Sequence, residues 1–114
     1  MYNVIVADDE KNIREGIVEL IEWEKLGCKV CASMQNGAQV LKYLEEEKIH
    51  VDIIITDIKM PIMDGMELIG MLNERFPDIK VIILTAYSDF TYAQQAIKFQ
   101  VSDFVVKNDF FRIA

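Results

Sequence analysis

Val51-Asp52-Ile53-Ile54-Ile55-Thr56-Asp57 decides the fold. A short, nearly continuous apolar run rich in β-branched residues reads as a strand buried on both faces, as in a parallel sheet. This one ends on a carboxylate, and three other runs share its form. Val4-Ile5-Val6-Ala7 ends at Asp8-Asp9, Val81-Ile82-Ile83-Leu84 at the hydroxyl of Thr85, and Phe104-Val105-Val106 at the ammonium of Lys107. In an open α/β sheet the carboxyl ends of the strands share one edge, and ligands bind there. Three carboxylates, a hydroxyl and an ammonium are therefore expected along one edge, a set suited to a divalent cation and a phosphoryl group.

Working outward, strands and helices alternate. Strands are expected at about 3–7, 29–33, 51–56, 80–84 and 103–106. Between them, residues 12–26 carry Ile13, Ile17, Leu20 and Ile21 at helical spacing, with Gly27 as the stop. Asn36 caps a helix through Glu47 that turns Val40, Leu41 and Leu44 inward. Met60-Pro61-Ile62-Met63-Asp64-Gly65 reads as a loop, and the helix after it uses Leu68, Ile69 and Leu72 before Pro77 closes it. A fourth helix is expected over about 89–98, burying Phe90, Ala93 and Ile97. Strict β-α alternation predicts a doubly wound parallel sheet with helices on both faces. Phe110, Phe111 and Ile113 read as the first turn of a fifth helix cut short at Ala114, so the 114 residues are expected to be a fragment of a longer protein.

Composition narrows the function. An apolar fraction of 52% in 114 residues fits one domain with one core. A net charge of −7 disfavours nucleic-acid binding by this segment, so any DNA contact is expected from a separate basic domain. Neither a secretory signal nor a membrane span is legible, and a soluble cytoplasmic protein is expected. Cys28-Lys29-Val30-Cys31 has the C-x-x-C spacing, but no second ligand pair accompanies it, and residues three apart on a strand face opposite ways. Ordinary buried thiols are expected. The sole histidine, His50, reads as a solvated loop residue, and Met60, Met63, Met66 and Met71 as packing.

The chemistry can be bounded from these residues. A hard cation such as Mg²⁺ prefers one or two carboxylates plus water and phosphate oxygens. Carboxylates packed together repel, and a cation relieves this. With no Cys or His on that edge, the available nucleophile is a carboxylate, which would form an acyl phosphate.

Asp8-Asp9, Asp57-Ile58-Lys59-Met60-Pro61 with Asp64-Gly65, Thr85-Ala86 and Lys107, in that order and each after its own strand, resemble the receiver domain of two-component response regulators over essentially the whole chain. The resemblance implies a strand order of 2-1-3-4-5. It implies Asp57 as the phosphoacceptor for a sensor histidine kinase. It also implies Asp9, Asp57 and the backbone carbonyl of Lys59 as direct Mg²⁺ ligands, with Asp8 acting through water. Lys107 would pair with the phosphoryl group and Thr85 would hydrogen-bond it, while Ala86 stays small to admit it. Phe104 matches the aromatic switch position, whose movement would reshape the face of helix 4, strand 5 and helix 5, a possible homodimer surface. Lys59 and Tyr87, two residues beyond Asp57 and Thr85, would screen the phosphoryl group from water. Glu22-Trp23-Glu24-Lys25-Leu26-Gly27 and Asp89-Phe90-Thr91-Tyr92-Ala93 further resemble receivers fused to AraC-type helix-turn-helix domains.

One position departs from that pattern. Asn108 stands where the family usually has Pro in a cis peptide, and a trans Lys107–Asn108 bond is expected. Asn108 and the missing helix support a second reading, a pseudo-receiver that signals by protein contact without phosphate. A phosphatase with an Asp nucleophile is a third, but it would want an acid two residues on, where Lys59 stands. The phosphorylatable switch, not a turnover enzyme, accounts for the whole set of residues.

Overall fold

Alternation of side chains along four apolar strands organises the molecule. A computed structural model describes residues 1–46, 49–86 and 103–106, and of Thr85 and 103–106 the backbone alone. The elements are β1 (Tyr2–Ala7), α1 (Lys11–Leu20), a 3₁₀ turn (Trp23–Leu26), β2 (Cys28–Met34), α2 (Gly37–Glu46), β3 (Ile53–Thr56), α3 (Gly65–Arg75), β4 (Lys80–Thr85) and β5 (Asp103–Val106). All strand pairs are parallel, in the order β2-β1-β3-β4-β5. The expected doubly wound sheet is thus present, and its order reverses between β1 and β3.

Successive residues of a strand face opposite ways, and the core divides accordingly. Ile5, Ala7, Ile54, Val81 and Ile83 join Val40 and Leu41 of α2 and Leu68, Ile69 and Leu72 of α3 on one face. Val4, Val6, Ile53, Ile55 and Leu84 join Ile17 of α1 on the other. Burial of Val4 through Ala7 on both faces explains why β1 is a continuous apolar run.

Three local details differ from the expected pattern. The first helix ends at Leu20, because Ile21 turns extended and the indole N–H of Trp23 donates to the Val18 carbonyl at 3.1 Å. That bond satisfies one of the carbonyls a helix end leaves open. Leu20, expected inside, is 53% exposed at this break. Gly27 still closes the segment, as the left-handed cap (φ 72°) of the 3₁₀ turn. In β2 an extra residue enters the ladder: Val4 pairs with Val30 and Ile5 with Ala32, leaving Cys31 as a bulge. Cys28 and Cys31 are both free thiols, and they pack on opposite faces as expected. Val51 is buried but precedes β3, which begins at Ile53.

Helices α2 and α3 start as their sequences dictate. Asn36 Oδ1 caps α2 by accepting from Gln39 N–H at 2.9 Å, and Gln39 Oε1 accepts from Gln35 N–H, the residue before the cap, at 2.8 Å. Asp64 caps α3 by accepting from Glu67 N–H at 2.9 Å. His50 is exposed, as expected, and its Nε2 lies 3.1 Å from Asp52 Oδ1. Residues 89–98, Phe110, Phe111 and Ile113, for which helices are expected, lie outside the described residues.

Candidate functional site at the carboxyl edge of the sheet

Ala7 and Thr56 are register partners on neighbouring strands, so Asp8 and Asp57 leave the sheet side by side. Parallel strands are about 4.8 Å apart, which sets the scale of the site. Asp57 N–H donates to Ala7 carbonyl at 2.9 Å, and Asp8 N–H donates to Met34 carbonyl at 3.0 Å. These two bonds extend the ladder one residue past β1 and β3. They fix the backbone of both acids on the rigid part of the fold.

Each acid then takes a different setting. Asp57 is 5% exposed, and its Oδ1 accepts from Ile58 N–H at 2.7 Å. The hydroxyl of buried Thr56 donates to the Asp57 carbonyl at 2.9 Å. Asp8 is 1% exposed, its Oδ1 accepts from Glu10 N–H at 2.9 Å, and its carbonyl accepts from Arg14 Nη1 at 2.7 Å. Asp9 and Glu10 are exposed. Carboxylate oxygens of Asp8, Asp9 and Glu10 lie within 4.8 Å of one another.

Glu10 was not among the acids expected from sequence to form the site. It follows the pair directly and begins the turn into α1, so its carboxylate reaches the same space. Asp57, on the neighbouring strand, is not a member of that close group. The donor set is all oxygen, which suits a hard cation such as Mg²⁺. The crowding of three acids gives a further reason for a cation to be favourable there.

The loop from Ile58 to Gly65 forms the rim. Lys59 is exposed there, whereas Ile58 and Met60 turn inward. Gly65 N–H donates to Ile58 carbonyl at 2.7 Å, and Gly37 N–H to Met63 carbonyl at 2.9 Å, so the starts of α3 and α2 both anchor the loop. At its crest, Met63 N–H donates back to Pro61 carbonyl at 2.7 Å around Ile62, whose φ is 68°. That is a γ-turn of positive φ, an uncommon and strained form, on a β-branched residue.

On β4 and β5, Thr85 and Val106 are register partners. The side chains of Thr85 and Phe104, and the whole of Lys107, Tyr87 and the Lys107–Asn108 bond, lie outside the described residues. Ala86 is half-buried at the end of β4.

Residues 4–111 match the response regulator receiver domain. The chain belongs to that family. The receiver is 38% identical over 107 residues to the transcriptional regulatory protein YesN of Bacillus subtilis, covering 94% of this chain and 28% of YesN. It is 32% identical to the transcriptional regulatory protein HptR of Staphylococcus aureus, with 94% of this chain and 41% of HptR covered. The receiver therefore spans less than half the length of these relatives. Among solved structures, the REC domain of AraT, a response regulator from Geobacillus stearothermophilus, superposes with a TM-score of 0.83 at 40% identity, covering 93% of this chain and 81% of that one. A two-component transcriptional regulator AraC from Clostridium phytofermentans superposes with a TM-score of 0.80 at 31% identity, over 95% and 82%. Among the described residues, no helix is long and apolar enough to cross a membrane.

Proposed function

We propose that this receiver is a phosphorylatable switch that accepts a phosphoryl group on Asp57 from a sensor histidine kinase. The single observation that carries the reading is the Asp57 carboxylate itself. It is held at the end of β3 by bonds to its own N–H, carbonyl and Oδ1, beside a turn of three convergent acids. In the transfer, an Asp57 oxygen bonds to phosphorus as the P–N bond of a phosphohistidine breaks, and the imidazole leaves with a proton. Such transfers pass through a loose transition state, so positioning and charge neutralisation supply most of the rate. Asp57 contributes by being fixed before the donor arrives.

Asp9, Asp57 and the Lys59 carbonyl would hold Mg²⁺ directly, with Asp8 acting through water. When bound, the ion supplies charge neutralisation for the carboxylates and the incoming phosphoryl oxygens. Lys107 would pair with the phosphoryl group, and Thr85 would hydrogen-bond it and pass the change to Phe104. The face of helix 4, strand 5 and helix 5 would then change, and with it an output domain. Relatives named as transcriptional regulators support a transcriptional output, with DNA contacted by a separate domain. The acidic balance of this receiver agrees with that division of labour. On this reading the receiver is cytoplasmic, takes part only in its own phosphorylation and dephosphorylation, and pairs with a second copy through the same face.

Labelling with radioactive acetyl phosphate tests the reading. Incorporation that requires Mg²⁺ and is released by hydroxylamine, as an acyl phosphate is, is the expected result. Label that resists hydroxylamine, or no label, contradicts it.

A further inference from the structure

Three carboxylates whose oxygens lie within 4.8 Å of one another repel, and an unloaded turn built from them tends to open. Asp8 is nevertheless tied at three points. Its N–H donates to Met34 carbonyl, its Oδ1 accepts from Glu10 N–H, and its carbonyl accepts from Arg14 Nη1 at 2.7 Å. The first two bonds use backbone groups of the sheet edge and the turn itself. The third comes from a side chain one turn into α1, and it is charge-assisted. Arg14 is half-buried, and its own N–H donates to Glu10 carbonyl at 3.0 Å as α1 begins. Its backbone thus holds one end of the acidic turn and its guanidinium the other.

We infer that Arg14 is a positioning residue for the acidic turn: its guanidinium pins the Asp8 carbonyl, and so keeps Asp8 and Asp9 placed for the Mg²⁺ that Asp9, Asp57 and the Lys59 carbonyl would hold. The metal part of this inference rests on the phosphoacceptor reading; the pinning of the turn does not. Two effects of Arg14 oppose each other, and their signs separate them. A bystander cation near carboxylates repels Mg²⁺, so removing it would tighten binding. A positioning cation preorganises the ligands, so removing it loosens binding.

The test compares the unsubstituted receiver with Arg14→Gln and Arg14→Lys. Mg²⁺ affinity is read from the Mg²⁺-dependent shift in thermal unfolding, and exchange of the Glu10 amide hydrogen is read without metal. In Arg14→Gln the Glu10 amide is expected to exchange about tenfold faster and the Mg²⁺ Kd to rise about tenfold, the size of one charge-assisted hydrogen bond. Arg14→Lys keeps the charge but not the planar fork, and its Kd falls between the two. A Kd that is unchanged or lower in Arg14→Gln, or an unaltered Glu10 exchange rate, overturns the inference. If Arg14→Gln does not fold, Arg14→Lys decides alone, because a bystander charge predicts no change in it. If the unsubstituted receiver takes up no Mg²⁺, the phosphoacceptor reading and the metal part fall together, and the exchange measurement decides the pinning of the turn.

Discussion

Gly65 lies against the peptide of Asp57, so closely that a Cβ there would overlap the Asp57 carbonyl oxygen and stand 2.8 Å from Ile58 Cα. The same glycine donates its N–H to the Ile58 carbonyl, so the first residue of α3 rests on the segment that carries the proposed acceptor. Backbone cannot yield there as a flexible side chain would. Gly65→Ala must therefore push α3 away from β3 or displace Asp57. Overpacking of this kind costs about 1–3 kcal/mol. We expect a lower urea midpoint together with slower phosphorylation of Asp57; a variant equal to the parent in both would contradict the contact.

Ile62 is the opposite case, a residue with side-chain room but a poor backbone conformation. It is 82% exposed, so little burial is lost by removing its side chain. A left-handed conformation costs an L-residue roughly 1–2 kcal/mol, whereas the extra unfolded-state freedom of glycine costs about 0.5–1 kcal/mol. The first term is larger. Ile62→Gly is expected to stabilise the receiver by about 0.5–1 kcal/mol in equilibrium unfolding, and a destabilised variant would show that the Ile62 side chain contributes contacts that outweigh the strain.

Asn36 tests whether capping reaches the site. Its Oδ1 holds Gln39 N–H, and the next residue, Gly37, ties α2 to Met63 of the rim loop. Asn36→Ala removes an N-cap worth about 1 kcal/mol. Asn36→Asp, which keeps the acceptor, is expected to lose less. Equal losses in chemical denaturation for both would argue that packing of the buried side chain, and not the cap, is what Asn36 supplies.

β1, β3 and β4 were legible because they are apolar on both faces, and a continuous run needs no partner to be recognised. The same holds for Asp8 and Asp57, which follow such runs directly. What escaped sequence reasoning depends on three-dimensional closeness. The bulge at Cys31 arises from a register shift between two strands, and neither strand signals it alone. The break after Leu20 carries no Pro or Gly; it follows from the Trp23 indole reaching back to Val18. Glu10 ends no apolar run, and only the folded turn brings its carboxylate to Asp8 and Asp9. Arg14 sits four residues further on, as one more polar residue of an amphipathic helix, and only the folded turn reveals its bond to the Asp8 carbonyl.

Asp57 as the phosphoacceptor is the central claim, and intact-mass measurement tests it most directly. The receiver and its Asp57→Asn variant are incubated with acetyl phosphate and Mg²⁺, with and without a chelator. The account predicts one phosphoryl adduct on the unsubstituted receiver, lost on chelation and absent from Asp57→Asn. An adduct that survives in Asp57→Asn, or no adduct on the unsubstituted receiver, would contradict it.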